Sequence, residues 1–212
     1  MSDLFQLANI NVIVTGVGGS IRTQISLLLA KAGANLLLSD SSAEALCSML
    51  LYRICNISQE DIEESLVKHF NKHSSVDVIS NSASVFPSGE SDTVKVFYKH
   101  TVLSIRRHRK TKGITINTPP IVKSISSATT QIAYTTSKGA IIAITQEPAI
   151  MHTGEGTQFN ALCPSSLNTP LIQHYLSAKK VHLPQGRFRK PIEQAAVALL
   201  LVGGSRHTLP HR

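Results

Sequence analysis

The chain alternates between two hydrophobic rhythms. Asn11-Val12-Ile13-Val14 is a short β-branched run that stops at Thr15-Gly16, which predicts a buried strand. Gly18, Gly19 and Ser20 follow, and then Ile21, Ile25, Leu28 and Leu29 fall on one helical stripe closed by Gly33. Asn35 to Ser39 is a second apolar strand, ending in Asp40. Tyr52 to Cys55 reads as a further short strand. After it, Ser58 is placed to cap a helix, with Asp61 three residues on and Ile62, Leu66 and Phe70 as its buried stripe. Val76 to Ser80 predicts the next strand, running into Asn81-Ser82-Ala83-Ser84. Asp92 to Lys112 predicts one long helix, Gly113 to Asn117 a buried strand, the segment from Tyr134 an apolar helix, Phe159 to Pro164 a last strand, and the residues after Pro191 a closing helix. Strands that alternate with helices in this way argue for an α/β chain with a parallel sheet covered on both faces.

Strand, glycine-rich turn, helix, strand and acid is the order of a dinucleotide-binding βαβ unit. The turn amides and the helix N-terminus suit a pyrophosphate. Asp40 suits the adenosine ribose hydroxyls and repels a 2′-phosphate, so NAD is expected over NADP. A plain βαβ unit with a glycine-rich turn would show the same pattern, so this segment does not decide the matter alone. A second signal is Tyr134-Thr135-Thr136-Ser137-Lys138. Tyrosine and lysine four apart share one helix face. A phenol ordinarily ionises near ~10, and a lysine ammonium beside it favours the phenolate. The pair can then give or take a proton at a carbonyl or an alcohol. A solvated surface pair has the same spacing.

Composition narrows the classes. The 212 residues suit one domain, read here as residues 1–212. With 42% hydrophobic residues, 5% aromatics and no Trp, the core is aliphatic, as buried parallel strands require. A formal charge of +8 and a pI near 9.6 favour anionic partners. Arg106-Arg107-His108-Arg109-Lys110 could be a nucleic-acid patch, but no aromatics are interleaved for base stacking. A solvated helix end whose cations suit the dipole is the better reading, so no nucleic acid is expected. Cys47, Cys55 and Cys163 have no metal spacing and form no even framework; reduced thiols in a cytoplasmic protein are expected. His69 and His73 are four apart but lack a carboxylate pattern, so no metal site is expected. No signal peptide is evident, and the longest apolar run, Ala195 to Val202, is too short to cross a bilayer.

Taken in order, these motifs resemble the short-chain dehydrogenase/reductase family, from about Asn11 to about Val202. The resemblance rests on Thr15-Gly16 with Ile21, Asp40, Asn81-Ser82-Ala83-Ser84, Ile114 to Asn117, Tyr134 to Lys138, Asn160 to Thr169, and Gln185-Gly186-Arg187-Phe188 with the helix after Pro191. It implies a Rossmann-type doubly wound parallel sheet and an NAD-linked oxidoreductase acting on a small-molecule alcohol or carbonyl. By the resemblance, Tyr134 is the general acid/base, and Lys138 holds the nicotinamide ribose and lowers the tyrosine pKa. Gly16, Gly19, Ser20 and Ile21 hold the pyrophosphate, and Asp40 binds the adenosine ribose. Asn56 and Ile57 lie by the adenine, Asn81 and Ala83 pass along the cofactor, and Thr169 touches the carboxamide. The segment from Leu171 to Leu183, with Tyr175 and Leu176, would build the substrate pocket.

The chain also departs from the family pattern. Ser20 and Arg22 stand where two further glycines belong; Arg22 would either pair with the phosphate or block it. Pro120 stands at the position of the catalytic serine, with Ser124, Ser126 and Ser127 nearby. The asparagine that holds a relay water has no clear match. These losses imply an alternative: a catalytically impaired or inactive relative that keeps the fold, with or without the nucleotide. Pro148 falls late in the Tyr134 helix, where it predicts a kink or an early end. Family members associate through that helix and through the final strand, so a homo-oligomer is possible through an altered interface. Gly203-Gly204-Ser205 and a basic tail follow Val202, so the family's last strand is expected to be missing.

Overall fold

The computed structural model describes residues 5–40, 75–82, 90–119, 132–164, 167 and 187–208. The strand expected over Tyr52 to Cys55 and the helix after Ser58 lie outside them. Among the described residues five parallel strands form one sheet: β1 (Asn11–Thr15), β2 (Asn35–Ser39), β3 (Val78–Asn81), β4 (Ile114–Asn117) and β5 (Gln158–Ala161). Their spatial order is β2-β1-β3-β4-β5. The order reverses at β1, so a crevice opens beyond the carboxyl ends of β1 and β3, where open α/β sheets take their ligands.

Among the described residues four helices cover the sheet: α1 (Ser20–Lys31), α2 (Glu90–Thr111), α3 (Ile132–Met151) and α4 (Pro191–Thr208). Strand residues alternate between the two faces. Val12 and Val14 of β1, Leu38, Val78, Ile114 and Ile116 join Ile25 and Leu29 of α1 and Ala195, Ala198, Leu199 and Val202 of α4 in one apolar core. Ile13, Leu37 and Ile79 point the other way and pack with Val76 and with Val96 and Leu103 of α2.

Local chemistry sets the ends of these elements. Gly33 sits at φ +92, past the last residue of α1, and its N–H donates to Ala30 O at 2.9 Å, a left-handed stop that suits glycine. Pro191 opens α4, where a missing N–H costs nothing. Glu193 accepts from the Lys190 N–H at 2.8 Å and takes both arms of Arg187 at 2.7 and 3.1 Å. Two expectations change. α3 does not stop at Pro148 but reaches Met151, and the His152 N–H closes the turn onto Pro148 O at 3.0 Å. α4 continues over Gly203 and Gly204 to Thr208, and among the described residues no sixth strand follows β5.

Candidate active site

The turn after β1 builds one wall of the crevice. Gly16 adopts φ +73, a conformation that favours glycine, and its N–H donates to Ser39 O at 2.6 Å, tying the turn to the end of β2. The Gly19 N–H donates to Gly16 O at 3.2 Å, and Thr23 Oγ1 donates to Val17 O at 2.8 Å. The chain then enters α1 with Gly19 as its N-cap. Asp40 folds back from β2, and its Oδ2 accepts from the Gly18 N–H at 2.8 Å. The expected turn residues Gly16, Gly19, Ser20 and Ile21 and the acid Asp40 are therefore brought together.

Arg22 crosses the crevice. Its Nη1 donates to Ser82 O, just past the end of β3, at 2.5 Å. The guanidinium lies flat on Gly19: a Cβ placed there would stand 1.9 Å from Nη2 and 2.4 Å from Cζ. The cation thus sits on the N-terminal end of α1, whose first turn carries no acidic residue.

The floor of the crevice is a row of polar side chains across the sheet. Registers place Thr15, Asn81 and Asn117 side by side on β1, β3 and β4. Asn81 is fully buried; its Oδ1 accepts from Thr15 Oγ1 at 3.2 Å and meets His100 Nδ1 of α2. The Ser82 N–H donates to Thr15 Oγ1 at 3.2 Å, and the Thr118 N–H to Asn81 O at 2.8 Å. Asn117 Nδ2 donates to Thr145 Oγ1 of α3 at 2.8 Å and to Thr101 Oγ1 of α2 at 3.4 Å. Burial pushes His100 down to about 4, because a charged ring there would lose its water.

α3 carries Tyr134 in its first turn and Lys138 one turn on. Lys138 is only 6% exposed and Ser137 only 3%. A lysine is rarely this buried unless it is engaged, and Lys138 does interact with its surroundings. The Tyr134 side chain, Asn56, Ile57, Ala83, Thr169, Pro120, Ser124, Ser126, Ser127 and the segment 171–183 lie outside the described residues. Cys163 is a free, partly buried thiol whose pKa burial raises, which keeps it protonated and unreactive. Among the described residues no group of three or more His, Cys, Asp or Glu side chains could hold a metal ion. No described helix is long and apolar enough to cross a membrane.

Sequence reasoning missed His100, Thr101 and Thr145, and read the basic end of α2 only as solvated. His108, inside that run, is fully buried, and its Nδ1 meets Val76 O at 3.3 Å. The signal was present: Val96, His100, Ser104 and His108 recur every four residues, a helical stripe whose apolar member marks it as inward-facing.

The left-handed Gly16, the open end of α1 and the returning Asp40 suit a nucleotide at the crevice, and Arg22 adds a cation suited to its phosphates. The fold and the site together define a Rossmann-type α/β protein with its binding crevice at the switch point. Residues 10–180 match the model of the short chain dehydrogenase family, and the chain belongs to that oxidoreductase family. It is 26% identical to a 2,5-dichloro-2,5-cyclohexadiene-1,4-diol dehydrogenase of Sphingobium indicum, covering 95% of this chain and 92% of the relative. It is 25% identical to the L-fucose dehydrogenase of Bos taurus, covering 90% and 82%. Among solved structures it resembles a 3-ketoacyl-(acyl-carrier-protein) reductase from Brucella melitensis complexed with NADH. The TM-score is 0.80 at 20% identity, covering 96% of this chain and 95% of that one. It resembles Pseudomonas aeruginosa RhlG in its NADP active-site complex equally well, with a TM-score of 0.80 at 22% identity and coverage of 99% and 95%. At these identities the structural likeness speaks for the fold alone.

Proposed function

We propose that the chain is an NAD-dependent oxidoreductase that interconverts a small-molecule alcohol and its carbonyl, with Tyr134 as the acid/base. The observation that carries this reading is the buried Lys138, one helical turn beyond Tyr134 on a helix packed against β4 and β5. A dinucleotide bound in the crevice would supply or accept the hydride. The chain's own part is protonic and electrostatic. The Lys138 ammonium favours the Tyr134 phenolate, so that the phenol can hand its proton to a carbonyl oxygen or take one from an alcohol. Asp40 can leave the Gly18 N–H to receive ribose hydroxyls, and its charge disfavours a 2′-phosphate; this supports NAD over NADP. Asn81, Ala83, Asn56, Ile57 and Thr169 are assigned to the remaining length of the cofactor by family resemblance.

A second reading has its own support. Pro120 supplies no hydroxyl to polarise a carbonyl, and losing one such donor costs roughly 10²–10³ in rate. A protein that keeps the nucleotide but turns over slowly fits that substitution. One experiment serves both readings. NADH is titrated by fluorescence into the wild type and Asp40→Ala, and alcohols and carbonyls are then screened with Tyr134→Phe as the blank. Binding that weakens in Asp40→Ala, with turnover lost in Tyr134→Phe, supports the enzyme. Binding without turnover supports the impaired relative. No binding by a folded protein at about millimolar NADH, far above an ordinary cofactor affinity, sinks the enzyme reading and leaves a degenerate relative of the family.

A further inference from the structure

We propose that Thr145, through its bond to Asn117, is the positioning residue that fixes α3 on the sheet and so sets where Tyr134 and Lys138 stand; the proposal rests on the oxidoreductase reading above. The sequence of α3 leaves its orientation open. Its inward stripe is Lys138, Ile141, Thr145 and Pro148, all buried, yet Ile142 and Ile144 are only half-buried and Ile150 is 77% exposed. Apolar residues thus lie all round the helix, and Gly139 and Ala143 put little bulk on its exposed side. Such a pattern does not tell a helix which face to bury. A rotation of about 100°, one residue's worth, that hid Ile142 in place of Ile141 would serve burial as well.

The bond between β4 and α3 removes that freedom. Asn117 is fully buried, between Asn81 of β3 and Ala161 of β5, and its Nδ2 donates to Thr145 Oγ1 at 2.8 Å. Thr145 Oγ1 gives its one proton to Ile141 O, one turn back, at 2.7 Å, so towards the sheet it can only accept. The pair is therefore directional at both ends. A longer bond from Asn117 Nδ2 to Thr101 Oγ1, at 3.4 Å, brings α2 to the same amide. A neutral buried bond adds little net stability, but one buried polar contact can set the register of a helix. Thr145 stands two turns beyond Lys138 on the same stripe, about 10 Å along the helix axis. A rotation or slide at Thr145 is carried to Lys138 and Tyr134, and a displacement of about 1 Å can cost about 10²-fold in rate.

A purely structural bond would affect stability alone. The test compares Thr145→Val and Thr145→Ala, which lack the acceptor, with Thr145→Ser, which keeps it. Ile141→Val is the control, since it thins the packing of the same face and leaves the bond intact. Urea unfolding establishes that each variant is folded. The readout is the ionisation of Tyr134, followed by the ultraviolet absorbance of the phenolate and isolated by subtracting the same titration of Tyr134→Phe in each background. It needs no substrate and no turnover. The wild type is expected to ionise below the ordinary ~10 of a phenol. Thr145→Val and Thr145→Ala should raise that value by about one unit or more, as the Lys138 ammonium moves off. Thr145→Ser and Ile141→Val should keep the wild-type value. With a substrate that turns over, kcat should fall about tenfold or more in the two acceptor-free variants and not in the others. Unchanged Tyr134 ionisation in those two, or an equal shift in Ile141→Val, overturns the role of Thr145 and leaves the oxidoreductase reading standing. Loss of the fold in both acceptor-free variants overturns it as well, since the bond would then hold the fold rather than place the helix. A wild-type Tyr134 that ionises near ~10 overturns both.

Discussion

Acidification is expected to unfold this protein through two histidines of α2. His100 and His108 are two turns apart on that helix and are 3% and 0% exposed. His100 Nδ1 faces Asn81 Oδ1 and His108 Nδ1 faces Val76 O, both acceptors, so each ring carries its proton on Nδ1. The basic nitrogen of each is then Nε2, and both Nε2 atoms are buried with no hydrogen-bond partner among the described residues. A second proton would place a charge there without water. Burial accordingly lowers both rings from 6.5 to about 4; in His108 the bonds to backbone oppose that shift without reversing it. Between those values the unfolded chain holds protons that the folded chain refuses. Stability is therefore complete above about pH 6.5 and is lost as pH falls towards about 4. At ~1.4 kcal/mol for each pH unit separating folded from unfolded values, each ring accounts for about 3 kcal/mol and the two for about 6 kcal/mol. A domain of this size has only about 5–15 kcal/mol in total. Urea unfolding at several pH values from about 7.5 to about 4.5 measures the slope, which should approach that of two protons near pH 5. The double variant His100→Gln/His108→Gln should be weaker at neutral pH yet much flatter against pH. Stability that stays level down to about pH 5, or an equally steep fall in the double variant, would refute the assignment of these rings as buried and neutral.

Three further outcomes follow from packing. Gly113→Ala sets a methyl group 1.9 Å from Nδ1 of the buried His108 ring; it should cost about 2 kcal/mol, a fall of roughly 4–8 °C in Tm, and the cost should shrink in a His108→Ala background. Thr145→Val removes the hydroxyl that receives Asn117 Nδ2 at 2.8 Å and leaves that buried amide only its longer bond to Thr101 Oγ1, for about 1–3 kcal/mol by urea unfolding. Pro148→Ala restores a donor inside α3 and should raise Tm by a few degrees, since relief of a cost of ~3 kcal/mol outweighs the methylenes lost.

Periodicity revealed β1, β3 and β4 because each is a short, β-branched-rich run buried on both faces, whereas β5 buries only Phe159. Asn35 to Ser39 was legible to the residue, and the ends of the other strands moved by no more than a few positions. Glycine chemistry revealed the turn and the end of α1, since Gly16 and Gly33 do occupy left-handed conformations. Two kinds of feature stayed hidden. One is direction: the sequence put Arg22 in the turn but could not say that its side chain folds onto Gly19 and reaches Ser82, sixty residues away. The other is burial against expectation. His108 stands among four basic neighbours, and composition made the whole run look solvated. Helical spacing, followed residue by residue, turns that one position inward.

The two faces of the sheet divide stability from function. On the α1 and α4 side the strands present Val12, Val14, Leu38, Val78, Ile114 and Ile116, and the partners from both helices are aliphatic. Burial there needs no directional bond. On the α2 and α3 side apolar packing runs only partway, through Ile13 and Ile79. At the carboxyl ends it gives way to Thr15, Asn81 and Asn117, held by His100, Thr101 and Thr145. Buried polar bonds add only ~1 kcal/mol each to stability, far less than the same volume of aliphatic packing. They do, however, fix angles that packing leaves free. Asn81 is gripped by its side chain from β1 and α2 and by its carbonyl from Thr118. Ser82, and with it the carbonyl that Arg22 holds, is therefore set by hydrogen bonds. Substitutions on the aliphatic face should lower stability and leave the crevice intact, whereas substitutions in the polar row should shift the crevice before they unfold the chain.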